Sequence, residues 1–229
     1  MTLIEIIDTA RNLVNEPLDT ARSFPDNTSS FFKDSELTTY FNLLQQEVQQ
    51  EVIQTYEDYF LTQSFLSITN GVSDYTLPTA TIKVRRLEDV RGDGEPLEIF
   101  PVTLNDRGSR LLTLGSQSMR GGAYYLKGDT LALTDTPGFD STAAYQLHYI
   151  KRVSNITAGT ASSEIKSEHH GVLVWGLVKY MQHQQQANVE ALNTAEAEYQ
   201  RRMIKMVKHA ESRQVQRPRK VKSVYRDTD

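Results

Sequence analysis

The chain has 229 residues, with 25 Lys and Arg against 29 Asp and Glu, enough for one large domain or two small ones. It has no cysteine, which excludes disulfides, thiolate catalysis and cysteine-ligated zinc or iron–sulfur centres. No stretch approaches the roughly 18 apolar residues of a membrane span, and a net charge of −4 argues against non-specific duplex binding by the body of the chain.

The first residues, MTLIEIIDTARNLVNE, carry acids early and no basic run, unlike a signal peptide. Leu3, Ile6, Ile7, Ala10, Leu13 and Val14 fall on one stripe at helical spacing, with Thr2 and Glu5 placed as a capping box. Residues 16–33 hold two prolines and a polar cluster and read as a loop. Asp34-Ser35 caps a second helix to about residue 60. Its apolar stripe is Leu37, Tyr40, Phe41, Leu44, Val48, Val52 and Tyr56; Gln45, Gln46, Glu47, Gln49, Gln50 and Glu51 form a wetted opposite face.

The pattern then changes to short strands. Ser64–Thr69 is followed by Asn70-Gly71, a hairpin turn signal. Asp74–Pro78, Ile82–Leu87, Leu97–Val102, Leu111–Leu114, Ala123–Lys127, Thr130–Leu133 and Tyr145–Ile150 continue the series, with turns at Asp93-Gly94 and Lys127-Gly128-Asp129. Such spacing predicts a small antiparallel barrel or sandwich. Residues 154–163 are a small-residue linker. Helical periodicity returns over Glu164–Gln186, with His170, Leu173, Val174, Leu177, Val178 and Met181 on one stripe. Asn188 caps a fourth helix carrying Leu192, Ala195, Tyr199, Met203, Met206 and Ala210 to about Glu211. The third and fourth helices pair as an antiparallel hairpin. The fold class is therefore α+β: a discontinuous helical bundle from both ends of the chain, an inserted antiparallel β domain and an extended C-terminal arm. The segments are 1–61, 62–153, 154–211 and 212–229.

Motifs for catalysis are missing: there is no nucleophile elbow, phosphate loop, dinucleotide turn or zinc-protease helix. Arg120-Gly121-Gly122 reads as a loop. His169-His170 is the one pair that suggests a metal, but adjacent helical residues diverge by about 100° and do not readily share one ion. His183 lies on another turn, and His148 sits half exposed in a strand. Glu47, Glu51, Glu57 and Asp58 suggest paired catalytic carboxylates, yet they lie on a solvated face. Tyr40, Phe41, Tyr56, Tyr59 and Phe60 read as core and bundle-end packing. No catalytic residue, cofactor or metal site is assigned.

Residues 212–229 reverse the charge of the chain. They hold six basic and two acidic residues, net +4, whereas residues 1–211 hold 19 basic and 27 acidic, net −8. A cationic, proline-broken segment of this kind does not bury enough apolar surface to order itself. Its spaced Val215, Val221, Val224 and Tyr225 fit an arm that orders on a partner; a frayed terminus is the simpler alternative. Arg213, Arg217, Arg219, Lys220, Lys222 and Arg226 suit acidic partners or phosphates, although Tyr225 alone offers a base-stacking ring.

The order of these pieces resembles the head-to-tail connector (adaptor, head-completion) proteins of tailed bacteriophages. The likeness is carried by Asp34-Ser35-Glu36-Leu37 with Tyr40-Phe41-Asn42, by Tyr75-Thr76-Leu77-Pro78, and by the phrase Ala123–Leu133 with Pro137. It continues through the aromatic strand Tyr145–Tyr149, the segment Val172–Tyr180 and Glu198-Tyr199. Ser167-Glu168-His169-His170 departs from the family's Leu-Pro start of the third helix. The resemblance implies a non-enzymatic structural protein of the virion neck, assembled in the host cytoplasm. It implies a homo-oligomeric, twelve-fold ring between the portal protein and a tail or nozzle protein. That ring extends the channel for genomic double-stranded DNA without sequence-specific contact, helps retain the genome, and needs no membrane. By the same resemblance Arg213, Arg217, Arg219, Lys220, Val221, Lys222, Val224, Tyr225 and Arg226 bind the portal. The competing readings are a neck-associated cell-wall hydrolase and a DNA-binding module acting through the basic segment.

Overall fold

The computed structural model describes residues 1–16, 31–91, 95–106 and 122–213. The protein is α+β, with four α-helices and one mixed seven-stranded sheet among those residues. It divides into a helical unit, residues 3–56 and 165 onward, and a β unit, residues 57–164. The strand expected at Leu111–Leu114, the turn at Asp93-Gly94 and the residues after Arg213 lie outside the described residues.

The helical unit is built from α1 (Leu3–Leu13), α2 (Asp34–Thr55), α3 (His170–Gln184) and α4 (Val189–Ser212). Each buries most of the stripe its spacing predicts: Leu3, Ile6, Ile7 and Ala10 from α1, though Leu13 at its end is exposed; Leu37, Phe41, Leu44, Val48 and Val52 from α2; Leu173, Leu177 and Met181 from α3; Ala195, Met203 and Met206 from α4. Asn188 caps α4, its Oδ1 accepting from Ala191 N at 2.8 Å. Helices α2 and α3 approach closely where Gly176 faces Leu44.

Three expectations for this unit are corrected. Asp34 is not a capping side chain; α2 has no side-chain cap, and Asp34 is instead fully buried against Arg11. Arg11 Nη2 donates to Asp34 Oδ1 and to Phe32 O, each at 2.8 Å, while Nη1 faces Glu16 Oε2 at 3.4 Å. Glu16 Oε1 accepts from Phe32 N at 3.0 Å. A cation from α1 thus clasps residues on both sides of segment 17–30, a long-range pairing that outweighs local capping. Gln45 and Gln49 are buried rather than wetted, because α2 packs against both α3 and α4 and a single stripe does not cover two neighbours. Finally, α2 ends at Thr55 and α3 begins at His170, shorter at these ends than the periodicity suggests; 3-10 turns at Glu57–Phe60 and Ser167–His169 fill part of the difference.

The β unit contains β1 (Leu61–Ile68), β2 (Asp74–Thr76), β3 (Thr81–Asp89), β4 (Leu97–Pro101), β5 (Ala123–Lys127), β6 (Thr130–Leu133) and β7 (Ser141–Lys151). Their order in the sheet is β1-β7-β3-β4-β5-β6-β2. The antiparallel expectation fails at one place: β4 and β5 run parallel, pairing Phe100 with Ala123 and Pro101 with Tyr124. The intervening residues 102–122 are long enough for the crossover that a parallel pair needs. Pro101 is tolerated because its neighbours make the bonds, Phe100 N to Gly122 O and Val102 N to Tyr124 O.

Asn70-Gly71 does reverse the chain, with Gly71 at φ +79. It does not make a hairpin of its flanking strands, since β1 pairs with β7 and β2 with β6. Gly128-Asp129 does close the β5–β6 hairpin, Lys127 opposite Thr130 and Gly128 at φ +56. All seven strands contribute to one core that includes Leu66, Tyr75, Leu87, Ile99, Tyr124, Leu131 and Leu147.

Candidate assembly surfaces

In the helical unit, α2 turns Glu47, Gln50 and Glu51 to solvent, while Leu43 on α2 and Val189 and Ile204 on α4 are exposed apolar side chains. Leu13, Trp175, Val178 and the first turn of α4 line a cavity of about 320 Å³. The Tyr40 ring of α2 stacks on Tyr180 of α3, 3.9 Å between centroids. Tyr180 donates to Glu36 Oε1 at 2.8 Å. Burial and then that carboxylate push the Tyr180 hydroxyl up to about 12.

The β unit exposes Leu61 and Phe65 on β1, Ile82 on β3, Leu97 and Phe100 on β4, and Leu104 and Leu126. The same unit carries exposed ion pairs. Lys83 Nζ lies 2.9 Å from Glu57 Oε1, Arg85 contacts Glu57 as well, and Arg85 Nε lies 3.0 Å from Asp58 Oδ1. The hydrogen bond from Lys83, with the charges of Lys83 and Arg85, holds the Glu57 carboxyl below its ordinary range. A carboxylate so held is a poor general acid. Glu47 and Glu51 stand on the solvent side of α2, in the helical unit. His148 is half buried, as its strand alternation suggests, with Nε2 3.2 Å from Glu88 Oε2.

The two adjacent histidines part company. His170 Nε2 meets Ile165 O at 2.8 Å, and its ring is buried. His169 Nε2 meets His209 Nδ1 at 2.8 Å. Glu168 Oε1 stands 3.5 Å from the first nitrogen of that pair and 3.4 Å from the second. Desolvation holds the His169 imidazole below its ordinary value against the pull of Glu168, with His209, Lys205 and Lys166 adding to the lowering. His209 escaped the sequence reading, although a signal existed. In an antiparallel hairpin, residues about equally far from the turn face each other. Lys179 meets Glu196 and the ring of Tyr199, Arg202 lies over Trp175, and His169 meets His209 by the same rule.

Of the residues expected to bind a partner, Arg213 follows the last residue of α4 and is exposed. Arg217, Arg219, Lys220, Val221, Lys222, Val224, Tyr225 and Arg226 lie outside the described residues. Among the described residues no helix is long and apolar enough to cross a membrane.

Several residues that carried the family resemblance hold structure rather than chemistry. Asp34 anchors Arg11 and Glu36 accepts from Tyr180. Tyr75 donates to Val72 O at 2.7 Å beside the Asn70-Gly71 turn. Ala123–Leu133 forms the β5–β6 hairpin. The described residues thus form two small units, each with apolar side chains left on its surface. The chain matches the family described as SU10 adaptor protein over residues 1–222, and it belongs to that family. It is accordingly a structural adaptor of a bacteriophage. Among curated proteins none matches it.

Proposed function

We propose that the protein forms a ring between portal and tail in the virion neck, extends the DNA channel, and helps retain the packaged genome. The observation that carries this reading is the adaptor family match, which spans both compact units and most of the basic segment. The exposed apolar side chains of the β unit and the solvent-facing Glu47, Gln50 and Glu51 suit repeated contacts between copies. An acidic body, net −8 over residues 1–211, keeps passing DNA from adhering. The +4 segment 212–229 is the attachment to the portal. Its Arg213, Arg217, Arg219, Lys220, Lys222 and Arg226 pair with acids there, and Val221, Val224 and Tyr225 fill shallow apolar sites. Each exposed pair contributes only about 0–1 kcal/mol, but arms in a ring bind at high effective concentration once the first is seated.

Native mass spectrometry of the purified chain, alone and with purified portal rings, tests the templated assembly. The expected result is monomers or small oligomers alone and twelve copies on the portal. A stable ring formed without portal counts against templating, and no association with portal sinks the reading. Cell-wall lysis by the purified chain, lost on Glu→Gln change along α2, would instead favour the hydrolase. Salt-dependent retention on DNA without portal would favour the DNA-binding module.

A further inference from the structure

The cluster at Glu168, His169 and His209 plays no part in that proposal, and it has the composition of a metal site. The two imidazoles meet at the open end of the α3–α4 hairpin, His169 just before α3 and His209 in the last turn of α4, with ring nitrogens 2.8 Å apart. Glu168 Oε1 faces both, and all three donor atoms lie within 4.8 Å of one another. We propose that these three residues bind a divalent transition-metal ion of the imidazole-preferring class, with Zn2+ as the reference ion.

Tetrahedral Zn2+ with bonds of 2.0–2.1 Å sets its ligand atoms about 3.3 Å apart. The carboxylate already stands 3.5 and 3.4 Å from the two nitrogens. Only the nitrogen pair must open, by about half an ångström, a movement asked of the half-buried His209 rather than of the buried His169. Both nitrogens must offer lone pairs, so the proton of the present hydrogen bond moves to the far nitrogen of the donor ring. A small cavity of about 40 Å³, lined in part by Glu168, His169 and Gly171, adjoins the cluster and has room for a water as fourth ligand. Two imidazoles and one carboxylate select zinc, nickel or copper over the oxygen-seeking magnesium and calcium. Lys166 and Lys205 oppose any cation here and limit the affinity. Arg202 and Lys205 line the same cavity, Arg202 with its guanidinium against Gly171 while its Nε faces Glu198 at 3.6 Å, so Arg202 adds to that opposition. The bound ion staples the start of α3 to the last turn of α4. That turn ends at Ser212, whose Oγ donates to His209 O at 2.7 Å, so the staple braces the root of segment 212–229.

The test uses the chelator-treated full chain, titrated with zinc chloride by calorimetry and followed by thermal unfolding. One ion per chain and a higher Tm are expected, since a ligand of the native state stabilises it. His209→Ala and Glu168→Gln, at half-buried and exposed positions that should tolerate change, should each weaken binding by at least about tenfold, as losing even an outer partner of a ligand does. His183→Ala, at an exposed position of α3, should bind zinc like the parent, and magnesium chloride should leave Tm unmoved. The proposal falls if no one-to-one binding is seen, if His209→Ala binds unchanged, or if His183→Ala loses as much.

Discussion

Replacing Arg11 by Met should be the most damaging single change in the helical unit. The guanidinium is fully buried between Asp34 at 2.8 Å and Glu16 at 3.4 Å, whose side chains are 0% and 3% exposed. Its removal leaves two buried carboxylates that have lost the cation both face. Breaking a buried pair in this way costs about 3–5 kcal/mol. Asp34→Asn is milder: it removes one charge, keeps the shape, and leaves Arg11 with Glu16 and Phe32 O. About 1.5–3 kcal/mol, the worth of a hydrogen bond to a charged group, is expected for it. A gap of about 2 kcal/mol is roughly thirtyfold in the folded-to-unfolded ratio. Trp175, the only tryptophan, lies half buried in α3 and reports on this unit. Urea unfolding followed by its fluorescence should show a lower midpoint at unchanged slope for both variants. If Arg11→Met costs less than Asp34→Asn, or under about 1 kcal/mol, the clasp does not hold the two sides of segment 17–30 as described.

Two further outcomes follow from packing and charge. A Cβ at Gly176 would sit 2.7 Å from Leu44 Cδ1 and closer still to Cδ2; with Leu44 buried, Gly176→Ala should lose about 1–3 kcal/mol to overpacking and regain at most about 1 from helix propensity. Urea unfolding should therefore show net destabilisation, the same change should cost less when made in a Leu44→Ala background, and a Gly176→Ala variant as stable as the parent would refute the close approach. Burial pushes the Asp89 carboxyl up, but hydrogen bonds and charge from Arg91 override it and hold it below its ordinary value. A depressed folded pKa stabilises above the unfolded value and is lost as pH falls through the folded one. Stability should thus decline as pH drops below the ordinary carboxylate range, less steeply in Arg91→Ala; an identical slope in that variant would remove the pair from the account.

The helical stripes, the Asn188 cap and the Gly128-Asp129 hairpin were legible because each depends on residues a few places apart. Where the reading failed, the cause was a distant partner. Asp34 has a cap's composition, yet Arg11, from the far side of segment 17–30, takes it. Gln45 and Gln49 read as solvent-facing because one stripe was assumed where α2 has two packed neighbours. Asn70-Gly71 announces a turn, but strand order, which sequence spacing does not encode, sends β1 to β7 and β2 to β6. The parallel β4–β5 pair was hidden for the same reason. His209 was recoverable from hairpin symmetry about residues 188–189, where the pairs Trp175–Arg202 and Lys179–Tyr199 also centre. The segment proposed to bind the portal was legible only as composition, the charge and spaced valines of residues 212–229.

The central claim, that this adaptor docks on a portal through residues 212–229, is tested most directly by removing them. A chain ending at Glu211 keeps nearly all of α4, whose last buried residue is Ala210, and should fold like the parent. Mixed with portal rings and measured by native mass spectrometry, the full chain should load the ring, and the shortened chain should leave the portal bare. Equal loading of the portal by both chains would contradict the account.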